Sequence, residues 1–225
     1  MADSWAEIAV NLARVREEIR TAALRAGRRP EEITLVAVSK TVPPEGIQAA
    51  LAAGVTDLGE NRVQELLAKQ PELPPGLRWH LIGTLQTNKV KYIIDRIHLL
   101  HSLDRWELAR EISKRASARG LVLKALIQVN VSGEETKHGL APGDVPVFYR
   151  EVQELPGLQI EGLMTMAPFV ADAEQARPYF RQLRELAREL GLKHLSMGMS
   201  NDYQVAIEEG ATLVRIGSDI FGARR

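Results

Sequence analysis

The run Ile33–Thr34–Leu35–Val36–Ala37–Val38–Ser39–Lys40, continued by Thr41–Val42–Pro43–Pro44, decides how the chain is read. Its apolar residues form a short run of strand length, and a helical pattern over 44–53 follows, closed by Gly54. The turn between them holds Lys-Thr-Val-Pro-Pro. The glycine-rich phosphate fingerprint of an open, doubly wound sheet belongs at that position, and it is missing. The unit is therefore strand, loop, helix, glycine.

Working outward, the same unit recurs. Strand-like runs fall at 33–39, 56–59, 79–82, 97–101, 123–130, 158–164, 194–197 and 212–216. Helical patterns at 44–53, 103–119, 173–190 and 201–209 each end on a glycine: Gly54, Gly120, Gly191 and Gly210. A further helix precedes the first strand. Ser4 and Glu7 have capping-box spacing. Ile8, Leu12, Val15 and Ile19 mark one face, and Gly27 and Pro30 end it. Regular alternation predicts a parallel sheet covered by helices. About eight repeats in about 200 residues predict a closed (β/α)₈ barrel, an α/β fold, over an open sheet. Residues 1–225 read as a single domain, with residues 1–30 as an extra N-terminal helix packed on the barrel.

Bulk composition narrows the function. The formal net charge is +0, which favours neither nucleic acid nor an anionic membrane. The chain has no cysteine, which removes disulfides, thiolate metal sites and a thiol nucleophile. No signal-peptide pattern opens it, and no apolar run nears the roughly 20 residues of a membrane span. A cytoplasmic location is the expectation. No metal is proposed, because ligands at fixed spacing are too few.

Candidate site residues come from the strand ends, where barrels carry their sites. Lys40 closes the first strand. Partial desolvation at the rim lowers a lysine pKa and supplies the neutral amine of Schiff-base chemistry. From position alone, a solvated loop lysine is the stronger reading. Ser200 and Asn201 fall where a helix is expected to begin, and Gly217 and Ser218 follow the last strand. Both turns suit an anion, and both lie where barrels commonly bind phosphate. Arg215 interrupts Leu213–Val214–Ile216. Period two sends it into the barrel, where it needs an internal partner such as Glu60 or Glu161, or a ligand acceptor. Asn61 either orients a ligand edge or caps the next helix. His80, Gln86, Asn88 and Lys89 read as a polar cluster at the third strand's end.

The segments VAVSKT (36–41), LGEN (58–61), WHLIGTLQTNK (79–89), GLMTM (162–166), SMGMSND (196–202) and VRIGSDIFGAR (214–224) resemble the pyridoxal phosphate homeostasis protein family. These proteins are similar to the N-terminal barrel of alanine racemase. The matches span nearly the whole chain. The resemblance implies that Lys40 holds pyridoxal 5′-phosphate (PLP) as an internal aldimine. Ser200 would bind the phosphate, helped by backbone N–H groups at Gly217 and Ser218. Arg215 would face the pyridine nitrogen and Asn61 the ring. The chain stops shortly after its last strand, so the β-domain of alanine racemase, with its second acid/base residue, is expected to be lacking. That favours a PLP carrier or buffer over an enzyme, and a monomer, with PLP-dependent enzymes as candidate clients. A slow amino-acid racemase using Lys40 is the alternative, and a phosphate-site barrel without an aldehyde ligand is the third reading. Lys89, Lys91 and Lys137 read first as solvated surface charge. Their second reading is a basic mouth for another PLP or a client.

Overall fold

The structure, a computed structural model, describes residues 3–134 and 136–222, with residues 3 and 4 by backbone only. Eight strands close a parallel barrel in sequence order. They are β1 (Thr34–Val38), β2 (Asp57–Glu60), β3 (Arg78–Leu81), β4 (Leu99–Leu103), β5 (Leu123–Gln128), β6 (Leu158–Met164), β7 (His194–Ser196) and β8 (Leu213–Ile216). Around them run α1 (Asp3–Arg25), α2 (Pro44–Ala52), α3 (Val63–Lys69), α4 (Val90–Ile93), α5 (Trp106–Ser117), α6 (Val145–Val152), α7 (Arg177–Glu189), α8 (Tyr203–Glu208) and α9 (Ser218–Phe221). Every expected strand is present. The fourth lies two residues later than its apolar run, because the polar pair His101 and Ser102 belongs to it.

The five glycines expected to stop helices, Gly27 included, all have positive φ, between +65° at Gly120 and +104° at Gly210. α1 buries Ile8, Leu12, Val15 and Ile19 and packs on α2, α8 and α9. It begins at Asp3, so Ser4 lies inside the helix and is not its cap. The side chain of Ser4 lies outside the described residues, as do Ala223 and Arg224 of the expected C-terminal motif. Among the described residues, no helix is long and apolar enough to cross a membrane.

The strands alternate between two cores. Val214 and Ile216 join the apolar layer between sheet and helices. Val36, Leu99, Leu126, Met164 and Leu213 form a separate apolar cluster in the lumen. Beside that cluster runs a polar chain. Asp57 accepts from His80 Nε2 at 2.9 Å. His80 Nδ1 meets His101 Nε2 at 2.9 Å. His101 Nδ1 meets Ser196 Oγ at 2.8 Å, and Arg215 Nη1 donates to the same oxygen at 2.5 Å. His80 therefore does not join the mouth cluster expected around Gln86, Asn88 and Lys89. It points into the lumen and is 1% exposed.

One proton arrangement uses every atom of this chain. Burial first, and nearby cationic charge after it, hold the His101 pKa well below the usual imidazole range, so the ring is neutral. A neutral His101 donates from one nitrogen only. With Nε2–H donating to His80 Nδ1 and His80 Nε2–H donating to Asp57, His101 Nδ1 accepts from the Ser196 hydroxyl. Ser196 in turn accepts from Arg215. Donation runs one way from the guanidinium to the carboxylate. These proton positions are assigned from the bonding pattern. Arg78 closes the far end, its Nε donating to Asp57 Oδ1 at 2.8 Å.

Two predictions follow from this core. Where β5 pairs β6, the register shifts between Ala125 and Leu126, and Gly162 packs against β7 there. A Cβ on Gly162 would lie 1.9 Å from the His194 carbonyl oxygen. Gly162→Ala is expected to cost about 3 kcal/mol, the upper end of overpacking penalties, read from urea unfolding. The second concerns pH. The unfolded chain protonates His101 below about pH 6.5, while the folded chain refuses that proton. Its contribution to stability is complete above that pH and declines as pH falls, by at most about 1.4 kcal/mol per unit. His101→Asn is expected to flatten the decline between about pH 6.5 and 5 relative to wild type. Equal slopes in urea titrations of the two proteins would contradict the assignment.

Candidate functional site

The barrel mouth at the C-terminal strand ends opens into a cavity of about 480 Å³, a size suited to a small cofactor. Lys40, Asn61, Ser200, Arg215, Gly217 and Ser218 all line it. Lys40 stands two residues beyond the end of β1, separated from it by Ser39, and the turn after it is unusual. Thr41, a β-branched residue, has φ +65°. Arg215 stands on the neighbouring strand, its Cα in register with Val36.

Arg215 is 4% exposed and points inward, as its strand period requires. Nη1 donates to Ser196 and Nη2 to the Thr165 carbonyl at 2.9 Å. Neither carboxylate considered from sequence is its partner. Glu60 is held by Lys69 and Glu161 by Lys124, both at 2.8 Å. Burial pulls Arg215 down to about 10, opposed by the charge of Asp202. At neutral pH it remains a cation whose hydrogen-bond partners are neutral, so an acceptor in the cavity stabilises it.

The turn after β7 is built around Asp202. Its Oδ1 accepts from Met199 N–H at 2.7 Å, and its own N–H donates to the Met199 carbonyl. Gly198 enters this turn at φ +93°, and Ser200 and Asn201 form its apex. α8 starts at Tyr203, two residues later than the sequence suggested, so Ser200 is a loop residue and not a cap. After β8, Gly217 is the N-cap of α9. A Cβ there would stand 3.3 Å from the Val38 carbonyl, so the glycine lets this turn lie against β1. The first N–H groups of α9 have no partner within the helix.

Asn61 had two readings, and the structure separates them. The N-cap of α3 is Arg62, with no side-chain cap bond, and Asn61 lines the cavity. Its backbone runs so close to β3 that a Cβ on Gly83 would lie 2.3 Å from its carbonyl oxygen. The three lysines considered as a basic mouth have different surroundings. Lys89 borders a neighbouring depression with Arg62 and Gln86. Lys91 lies 4.8 Å from the Tyr92 ring centroid, and Lys137 pairs with Glu134 at 2.8 Å.

Sequence reasoning missed Gln128, His138 and Met166 in the cavity wall, and Ser196 and Thr165 behind Arg215. Gln128 and Ser196 were findable, since both are polar residues on the inward phase of apolar strands. His138 and Phe169 sit on loops, where no periodicity marks them.

An amine, a guanidinium and two turns rich in N–H and hydroxyl donors thus share one cavity. That set fits a small molecule carrying an aldehyde, a ring acceptor and a phosphate. Residues 10–225 match the family model for the alanine racemase N-terminal domain. A pyridoxal phosphate homeostasis protein of Aquifex aeolicus is 51% identical, covering 95% of this chain and 97% of its own. Its namesake in Escherichia coli K12 is 42% identical, with 97% coverage of both chains. The structure of PipY from Synechococcus elongatus, solved with PLP bound, superposes with a TM-score of 0.84 at 38% identity. It covers 96% of this chain and 100% of PipY. An alanine racemase of Clostridium difficile shares the barrel, with a TM-score of 0.74 at 17% identity, over 57% of its length. The chain belongs to the pyridoxal phosphate homeostasis protein family, whose barrel is that of the alanine racemase N-terminal domain.

Proposed function

We propose that this chain binds PLP covalently through Lys40 and carries or buffers it in vitamin B6 homeostasis, without substantial turnover of amino acids. The carrying observation is the sharing of one cavity by Lys40, Arg215 and the two turns at Ser200 and Gly217–Ser218. When bound, PLP supplies an aldehyde carbon that condenses with the Lys40 amine, with loss of water. Ser200 and the N–H groups at the start of α9 hold the phosphate. Arg215 presents a cation to the ring nitrogen, and Asn61 bounds the ring edge.

Arg215 also bears on turnover. A guanidinium beside a pyridine nitrogen disfavours its protonation and weakens the ring as an electron sink. The one tyrosine next to the Ser200 turn is not available as an acid/base group. Tyr203 donates its hydroxyl to Glu18 of α1, which with burial raises its pKa. His138 lines the cavity and is the group on which a racemase reading rests. PLP-dependent enzymes are the proposed recipients.

Wild-type protein is expected to show a visible absorbance band with PLP that borohydride removes, and Lys40→Ala to lack it. A Lys40→Ala spectrum equal to wild type would overturn covalent binding. In the presence of PLP, single enantiomers of alanine or serine are expected to remain unracemised over hours. Racemisation that disappears in both Lys40→Ala and His138→Ala would establish the enzyme reading instead.

A further inference from the structure

The turn that carries Lys40 is held from outside the barrel. Residue 41 is a threonine at φ +65°, a conformation that β-branched side chains rarely adopt and that costs energy to maintain. Its backbone N–H donates to Glu65 Oε1. Glu65 belongs to α3 and is itself gripped, one turn on, by Lys69 at 2.8 Å.

Lys69 is 7% exposed, and each proton of its ammonium has an acceptor. They are the Ser39 carbonyl at 2.7 Å, Glu60 Oε1 at 2.8 Å and Glu65 Oε1 at 2.8 Å. Ser39 Oγ donates to the same Glu60 oxygen at 2.7 Å. Of the residues on either side of Lys40, Ser39 is therefore fixed to both β2 and α3, and Thr41 to α3. Among the described residues, Glu60 Oε2 is buried without a hydrogen-bond partner. A network that leaves a buried acceptor unsatisfied and holds a strained residue is costly for stability alone. Such costs gather where a geometry is needed.

We propose that Glu65 and Lys69 are positioning residues, which clamp the strained Thr41 turn so that the Lys40 amine is aimed into the cavity. This rests on the reading of Lys40 as the PLP-binding lysine. Without the Glu65 acceptor, Thr41 relaxes to negative φ, and the direction of residue 40 changes with it. Charge is secondary to the acceptor oxygen in this role, so glutamine at position 65 preserves more of it than alanine.

The test compares wild type, Glu65→Ala, Glu65→Gln and the double variant Glu65→Ala/Thr41→Gly. PLP affinity, the rate at which the borohydride-sensitive band appears, and thermal stability are measured for each. Glu65→Ala is expected to weaken PLP binding about tenfold, equivalent to about 1.4 kcal/mol, and to slow appearance of the band. Glu65→Gln is expected to fall between it and wild type. The double variant should recover most of the affinity, because glycine reaches positive φ without strain. If Glu65→Ala binds PLP at the wild-type rate and affinity and only its melting temperature moves, the clamp is structural and the proposal fails. It also fails if glycine at position 41 rescues nothing. Should Glu65→Ala not fold, the glutamine variant and the double variant carry the same comparison. A wild-type protein with no borohydride-sensitive band overturns the PLP reading itself, a result distinct from either failure.

Discussion

The pairing of β1 with β8 is the constraint on which the site depends. Thr34, Leu35, Val36 and Ala37 lie in register with Leu213, Val214, Arg215 and Ile216. This ladder joins the first strand of the barrel to the last. It brings Lys40 beside residues nearly 180 positions later in the chain. Without closure, the amine and the guanidinium would stand on opposite edges of an open sheet. Gly217 completes the join, since a side chain there would press on Val38. The barrel is thus more than a scaffold for its loops. Its last hydrogen-bonded seam creates the cavity.

The lumen solves a second problem, which is how to bury a cation without neutralising it. A carboxylate against Arg215 would satisfy it and also cancel the charge it offers a ligand. Here the hydrogen-bond partners are a serine hydroxyl and a backbone carbonyl, and the carboxylate that ends the chain of donors, Asp57, is separated from Arg215 by three residues. Asp57 is held well below the ordinary carboxylate range by His80, Arg78 and Thr56, which outweigh its burial. Charge-assisted hydrogen bonds of this kind are worth about 1.5–3 kcal/mol each. They offset the desolvation of the guanidinium and leave its field intact in the cavity. Directed donation also fixes the Ser196 hydroxyl, so Arg215 has one orientation rather than several.

Much of this was legible in the sequence, for reasons that particular residues make plain. The strand and helix order followed from apolar runs and helix-stopping glycines, because burial on both faces and positive φ leave direct marks on residue choice. Arg215 was placed correctly because its neighbours Val214 and Ile216 fix the phase of β8. His80 was misplaced for the complementary reason. It was read by its nearness to Gln86, Asn88 and Lys89, whereas strand phase would have put it in the lumen. The partners of Arg215 were not legible at all. Ser196 and Thr165 come from β7 and the loop after β6, and only closure of the barrel shows which polar residues meet.

The Thr41 turn illustrates a different limit. A threonine in the sequence gives no hint of a left-handed backbone, since glycine or asparagine is the usual occupant. The conformation becomes intelligible only with Lys69 in view, a buried ammonium that ties Ser39, Glu60 and Glu65 together. A glycine would adopt the same backbone without strain and would need no brace to hold it there. A threonine can occupy that geometry only while its N–H is held, so the same residue makes the turn strained and conditional. The cation in the lumen faces no such condition, being fixed by strand phase and by two partners. One half of the site is therefore set by the barrel itself, and the other by a brace outside its wall.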